Sequence, residues 1–193
     1  MLARLLLYHG SDQGTHLILS AIQDALKDTD GLPQRTGSIR YCTLLPDHGV
    51  MPETVYLLNL LAWSNLPDLS ELFFEILKRI LNAQRDWLDR RQGIYCYIES
   101  FAYVAERRGD GAFIPLLEQL LQIPEFTTKS ENKLLTERYD MLRIRLLQAL
   151  SRLGSTTGIE GLRKLTNDKR RPISLAAQQI LSGKLGRITQ KEY

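Results

Sequence analysis

Apolar residues recur every three or four positions along most of this chain, and the recurrence stops and restarts at a repeated punctuation. Residues 105–121 read AERRGDGAFIPLLEQLL, and residues 150–166 read LSRLGSTTGIEGLRKLT. In both, an apolar stripe ends at Arg-x-Gly, a short polar turn comes next, and a second stripe begins. A spacing of three and four places apolar side chains on one side of a helix. Glycine just past the stripe suits the left-handed position at a helix end, where a Cβ would clash. Asp110, and Ser155 with Thr156, stand next as candidate caps for the second helix. Gly10, with Ser11 and Asp12 after it, repeats the arrangement, and Asn65, with Asp68 after it, stands in for glycine.

The four turn residues, Gly10, Asn65, Gly109 and Gly154, lie 55, 44 and 45 residues apart. First helices are expected at 2–9, 53–64, 87–107 and 131–153. Second helices are expected at 12–27, 68–82, 111–122 and 157–166, with a closing helix at 172–185. In 134–153, Leu134, Leu135, Tyr139, Leu142, Leu146, Ala149, Leu150 and Leu153 form the stripe. Strand alternation is nearly absent. The excess in the first spacing lies in 28–52, DTDGLPQRTGSIRYCTLLPDHGVMP, whose glycines and prolines mark a long connection with at most one short helix near 38–44. A smaller connection lies at 123–132.

A period of about 40–47 residues with two helices per unit is the signature of HEAT-type arrays, because one hairpin cannot bury its apolar side alone. The expected fold is all-α, a right-handed α–α superhelix of about four hairpins plus a closing helix. It forms a single repeat domain over 1–193, with units 1–27, 53–82, 87–122 and 131–166. The start, LARLLLY, is apolar from its second residue and has no cap, which suits an array cut from a longer chain or covered by a partner.

The residues that carry the repeat resemble HEAT-repeat proteins across nearly the whole chain. The best stretch is 146–181, LLQALSRLGSTTGIEGLRKLTNDKRRPISLAAQQIL, which is similar to that family's run of helix, Gly turn, helix, Asp turn, helix. The family often sets an Asp in the second turn against an Arg just inside the next helix. Here Asp168 is in the turn, Ser174 stands at the second position, and the arginines come earlier. A weaker resemblance links LLPDHGVMPETVYLLNLLA and the AERRGD turn to the helical C-terminal portion of some bacterial flavin-dependent oxidoreductases. It implies an accessory array attached to a flavin enzyme. FAD would then belong to a catalytic domain outside this chain, since no GxGxxG turn occurs here and no cofactor is expected within it.

Composition narrows the function classes. Of 193 residues, 44% are hydrophobic and 24% charged, which is globular and not disordered. No apolar run is long enough to span a bilayer, and the start lacks a signal-peptide pattern, so a soluble cytoplasmic protein is expected. Cys42 and Cys96 form no CxxC, and the histidines His9, His16 and His48 show no metal-ligand spacing. No P-loop or nucleophile elbow occurs, so no catalytic or metal residues are assigned. Asp47 and His48, in the long connection, are the loop candidates if a site exists there. Glu99 and Glu106 are too far apart to share a proton. Trp63 and Trp87 fall in apolar stripes and are expected in the core.

Charge is uneven. Residues 1–96 carry 9 basic and 11 acidic residues, whereas 143–187 carry 10 basic and 2 acidic. Arg138, Arg145 and Arg152 recur every seven residues and are expected along one helix side. With Lys164, Lys169, Arg170 and Arg171 they would form a basic ridge. Local pairing, such as Glu131 with Arg138 or Glu160 with Lys164, would instead make this a solvated face. The leading expectation is a non-enzymatic scaffold whose second helices present a surface to a protein partner or to the rest of a larger chain. Glu75, Arg79, Glu118, Gln122, Arg163 and Asn167 are its candidate positions. The alternative is nucleic-acid binding through the basic ridge.

Overall fold

The computed structural model describes residues 12–27, 53–82, 93–123 and 133–183. Every regular element among them is helical. In chain order these are α1 (Asp12–Lys27), α2 (Glu53–Leu60), α3 (Leu69–Asn82), α4 (Gly93–Arg108), α5 (Ile114–Leu121), α6 (Lys133–Arg152), α7 (Thr156–Leu165) and α8 (Arg171–Leu181). Short 3-10 turns occupy Leu61–Trp63 and Gly111–Phe113. The protein is all-α. The helices match the periods read from the sequence, and the ends that fall among the described residues are displaced by a few residues; the expected starts at 87 and 131 and the end at 185 lie outside them. The expected helix at 2–9, the connections at 28–52 and 124–132, Cys42, Asp47, His48 and Trp87 lie outside the described residues.

The chain divides into two compact units, Met1–Arg108 and Gly109–Tyr193. In the N-terminal unit, α2 packs against both α1 and α4. Its core takes Ile18 and Ile22 from α1, Val55 and Leu58 from α2, Phe73 and Leu77 from α3, and Phe101 and Val104 from α4. The ring of Phe101 meets Phe73 at 5.0 Å and Tyr97 at 6.4 Å, both in tilted or edge geometries that suit the ring quadrupoles. A partly buried polar link joins α2 and α4, where the Ser100 hydroxyl donates to Asn59 Oδ1 at 2.7 Å.

At the end of α4, Arg108 clamps the preceding turn. Its Nη1 donates to the carbonyl of Ser64 and its Nη2 to that of Leu66 at 2.6 Å. The Ser64 hydroxyl donates to Leu61 O at 2.7 Å, and Ser64 itself is extended (φ −83°, ψ 156°). The chain therefore leaves the helix at Ser64, one residue before the expected Asn65.

In the C-terminal unit, α6 is the central helix. It contacts α5, α7 and α8, and α7 also packs on α8. The shared core is Leu147, Leu162 and Ala177, with Leu121, Leu165 and Ile180 against it. The α6–α7 turn is the expected glycine turn. Gly154 has φ +82°, Ser155 N–H donates to Leu150 O at 2.9 Å, and Gly154 N–H donates to Ser151 O at 3.1 Å. These two bonds satisfy the last carbonyls of α6 in the paired pattern that a left-handed residue permits. Two glycines then bring α7 close. A Cβ on Gly158 would lie 2.6 Å from Leu150 Cβ and 2.7 Å from Leu150 C, and a Cβ on Gly161 would lie 2.5 Å from Leu147 Cδ2. Residue numbers rise along α7 as they fall along α6, so the hairpin is antiparallel.

Gly109 also adopts a positive φ, +62°, and Asp110 caps the 3-10 turn at Gly111–Phe113, its carboxylate accepting from Ala112 N–H at 2.9 Å. Asp110→Ala leaves that donor to water. It should cost about 1 kcal/mol in urea unfolding of the full chain, while Asp110→Asn, which keeps the acceptor, should stay near the parent value. Ser155 occupies the cap position before α7, but its hydroxyl makes no cap bond and donates instead to Glu118 Oε1 at 3.1 Å.

Candidate interaction surface

The two sides of α7 do different work. Gly158 and Leu162 are buried and Gly161 is half-buried, whereas Glu160, Arg163, Lys164 and Asn167 are exposed. A five-residue turn, Thr166 to Arg170, leads into α8. The Thr166 hydroxyl donates to Arg163 O at 2.7 Å and Asp168 N–H to Leu165 O at 3.0 Å. The turn is thus fixed to the end of α7, and Arg163, Lys164, Asn167, Lys169, Arg170 and Arg171 are gathered at one end of the C-terminal unit.

Within this group Arg170 is clasped by two carboxylates. Its Nε and Nη2 reach Asp168 at 3.0 and 2.8 Å, and its Nη1 donates to Asp140 on α6. The backbone N–H of Arg170 also donates to Asp168 Oδ1 at 2.8 Å. The guanidinium hydrogen bonds, and after them that backbone N–H, hold the Asp168 carboxyl down at about 2, with Arg143 adding a smaller attraction. The guanidinium's bonds to Asp168 and, after them, to Asp140 raise the pKa of Arg170. A folded-state pKa below the unfolded value near 3.9 adds stability that is present above about pH 4 and lost as pH falls through about 2. Wild type should therefore exceed Asp168→Asn by about 1 kcal/mol at neutral pH, less than the shift alone implies because half-exposed Arg170 is screened by solvent. Urea titrations of both proteins from pH 7 to pH 2 should show the difference vanish at the acid end.

The expected basic ridge is only partly displayed. Arg145 is 7% exposed and lies inside the buried run 144–150, so it is not a surface residue. Seven-residue spacing gave it the same side of α6 as Arg138 and Arg152, but α6 is covered by three helices, and at Arg145 that side is closed. Arg145 Nη1 reaches Gln148 Oε1 at 3.5 Å. Arg152 is exposed, and the side chain of Arg138 is outside the described set. Arg170 is largely neutralised by its clasp. Arg163, Lys164, Lys169 and Arg171 remain exposed and form no ion pair among the described residues, and the same holds for Arg143 on α6. The expected Glu160–Lys164 pair does not form.

The other second-helix candidates divide between the units. Gln122, just after α5, is exposed, and Glu118 is half-buried under its bond from Ser155. Glu75 belongs to the N-terminal unit and pairs with Lys78 at 2.5 Å, an exposed pair of little energetic weight. Arg79 lies on α3, its side chain outside the described residues.

Three features escape the sequence pattern. Asp140 is 30 residues from its partner Arg170 and carries no periodic signal. Arg108 looks like an ordinary helix-end cation, yet it is the clamp on the 64–66 turn. Trp63, expected in the core, is 39% exposed, because it ends its helical turn on the outer side. The Arg107 guanidinium covers its ring at 3.9 Å from the centroid.

The fold and this surface define an all-α protein whose helices set one side in a core and a charged side outward. No described helix is long and apolar enough to cross a membrane, and no metal-holding cluster occurs among the described residues. No protein family, curated protein or solved structure matches the chain.

Proposed function

We propose that the chain is a non-enzymatic, HEAT-like interaction module whose second helices present their outer sides to a protein partner or to the rest of a larger chain. The observation that carries this reading is α7. Glycines press one of its sides onto α6, its opposite side leaves Arg163 and Lys164 exposed and unpaired among the described residues, and Asn167 is exposed in the turn that follows. A side held this rigidly loses little entropy when a partner docks on it.

Site-specific photo-crosslinking tests the reading. The crosslinker is placed at Asn167, Gln122 or Glu75 in the full chain, and at Met141 on the first helix α6 as control, and the protein is exposed to an extract of its source cells. Discrete adducts should form from second-helix positions and not from Met141. Equal labelling at all four positions, or none, counts against it.

A further inference from the structure

From the end of α7 along α8 the structure exposes cations and, on the Arg171 side of α8, Leu175, and we propose that this surface docks an acidic amphipathic helix of a protein partner. The inference rests on the interaction-module reading and adds the partner's chemistry.

The cations divide by what the fold can explain. Arg163 and Lys164 lie in the last turn of α7, where positive charge complements the helix dipole. Lys169 and Arg171 flank the start of α8, the positive end of its dipole, where cations are disfavoured. Asp168 is spent on Arg170, and no described residue pairs with Lys169 or Arg171. They cost the isolated fold some stability, and negative charge from outside would reverse that cost.

The apolar part is on the same helix. α8 buries Ile173 and Ala177, while Leu175 is 47% exposed and Leu181 is 39% exposed. Arg171, Leu175 and Gln178 keep the i, i+4, i+7 spacing of one helix side, whereas Leu181 lies about 120° around the axis from Leu175. The helix is about 16 Å long, which matches about eleven residues of a partner helix. A partner with leucine-like residues at i, i+3/i+4 and i+7 and carboxylates beside them would cover Leu175 and neutralise the cations at once.

Nucleic acid fits less well. Phosphates gain nothing from exposed Leu175, and the single aromatic residue of 133–183, Tyr139, is half-buried, which leaves no open ring for a base to stack on.

The test uses the full chain and three labelled probes monitored by fluorescence anisotropy at low and moderate salt. One is a twelve-residue helical peptide of Glu and Leu with its leucines on one side, the second the same peptide with Ser for Leu, and the third a duplex DNA. The Glu/Leu peptide should bind at least tenfold more tightly than either other probe. Leu175→Ser and the double variant Lys164→Glu/Arg171→Glu should each weaken it at least tenfold, with helical circular dichroism unchanged, and Met141→Ser, at an exposed residue of α6, should have no effect. Tighter binding of DNA would overturn the proposal in favour of a phosphate surface. Equal binding of the two peptides, indifference to Leu175→Ser, or silence of all probes at low salt would overturn it as well. In each of those cases adducts at Asn167 and Gln122 would leave the interaction-module reading standing, and their absence would remove both.

Discussion

Gly158→Ala should destabilise the C-terminal unit by about 3 kcal/mol, while Gly161→Ala, three residues on, should change it by no more than about 1 kcal/mol. The substitutions are chemically identical and lie in the same helix. On propensity alone each would stabilise α7, since alanine exceeds glycine by about 1 kcal/mol in a helix interior. The neighbours decide otherwise. A Cβ at 158 would sit 2.6 Å from Leu150 Cβ, 2.7 Å from Leu150 C and closer still to Ser151 N. Backbone atoms of α6 cannot yield without moving α7 as a whole. A Cβ at 161 meets the end of the Leu147 side chain, which can rotate aside. Urea denaturation monitored by circular dichroism separates the two variants, and a shared loss of similar size would show that the close approach at Gly158 is not what holds the hairpin.

The second large effect is expected at Arg108. Arg108→Met keeps most of the aliphatic stem and removes the fork that holds the carbonyls of Ser64 and Leu66. Hydrogen bonds from a charged donor contribute about 1.5–3 kcal/mol each, and Ser64 is buried, so its carbonyl cannot turn fully to water. A loss of about 3 kcal/mol is expected for the N-terminal unit. Arg108→Lys should recover less than half of it, because one ammonium cannot bridge two carbonyls in the geometry of a planar guanidinium. Already in the native protein, Arg108 Nε is buried without a partner among the described residues, so the clamp carries a built-in cost that the Nη bonds must exceed. Thermal unfolding of the three proteins checks the order Arg, Lys, Met, and a lysine variant equal to the parent would show that charge alone suffices.

The helices were legible because two signals coincide along this chain. The three-four period marks the interior of each helix, and Gly109 and Gly154, both at positive φ, mark ends that few other residues could make. Side-chain roles were less legible, each for a specific reason. The spacing of Arg145 shows which side of α6 it shares, not whether another helix covers that side. Ser155 stands where a cap belongs, yet Glu118 offers its hydroxyl a charged acceptor. Trp63 lies in an apolar stripe, but at the helix end, where the stripe no longer faces a neighbour. Of the candidate surface, the cations at 163–171 could be counted in advance. Their electrostatic state could not, because it depends on Asp140, brought in from another helix. Gly158 and Gly161 give no periodic signal, since glycine has no side chain to place on either side.

The unbroken buried run 144–150 has a kinetic consequence. α6 is covered there on all sides, including at Arg145 and Gln148, so its backbone amides exchange hydrogen with solvent only when the C-terminal unit opens as a whole. α8 keeps one side in water and can loosen from its free edge by local fraying. Exchange at 144–150 therefore reports the global stability of the unit, and exchange along α8 reports how firmly that helix is held.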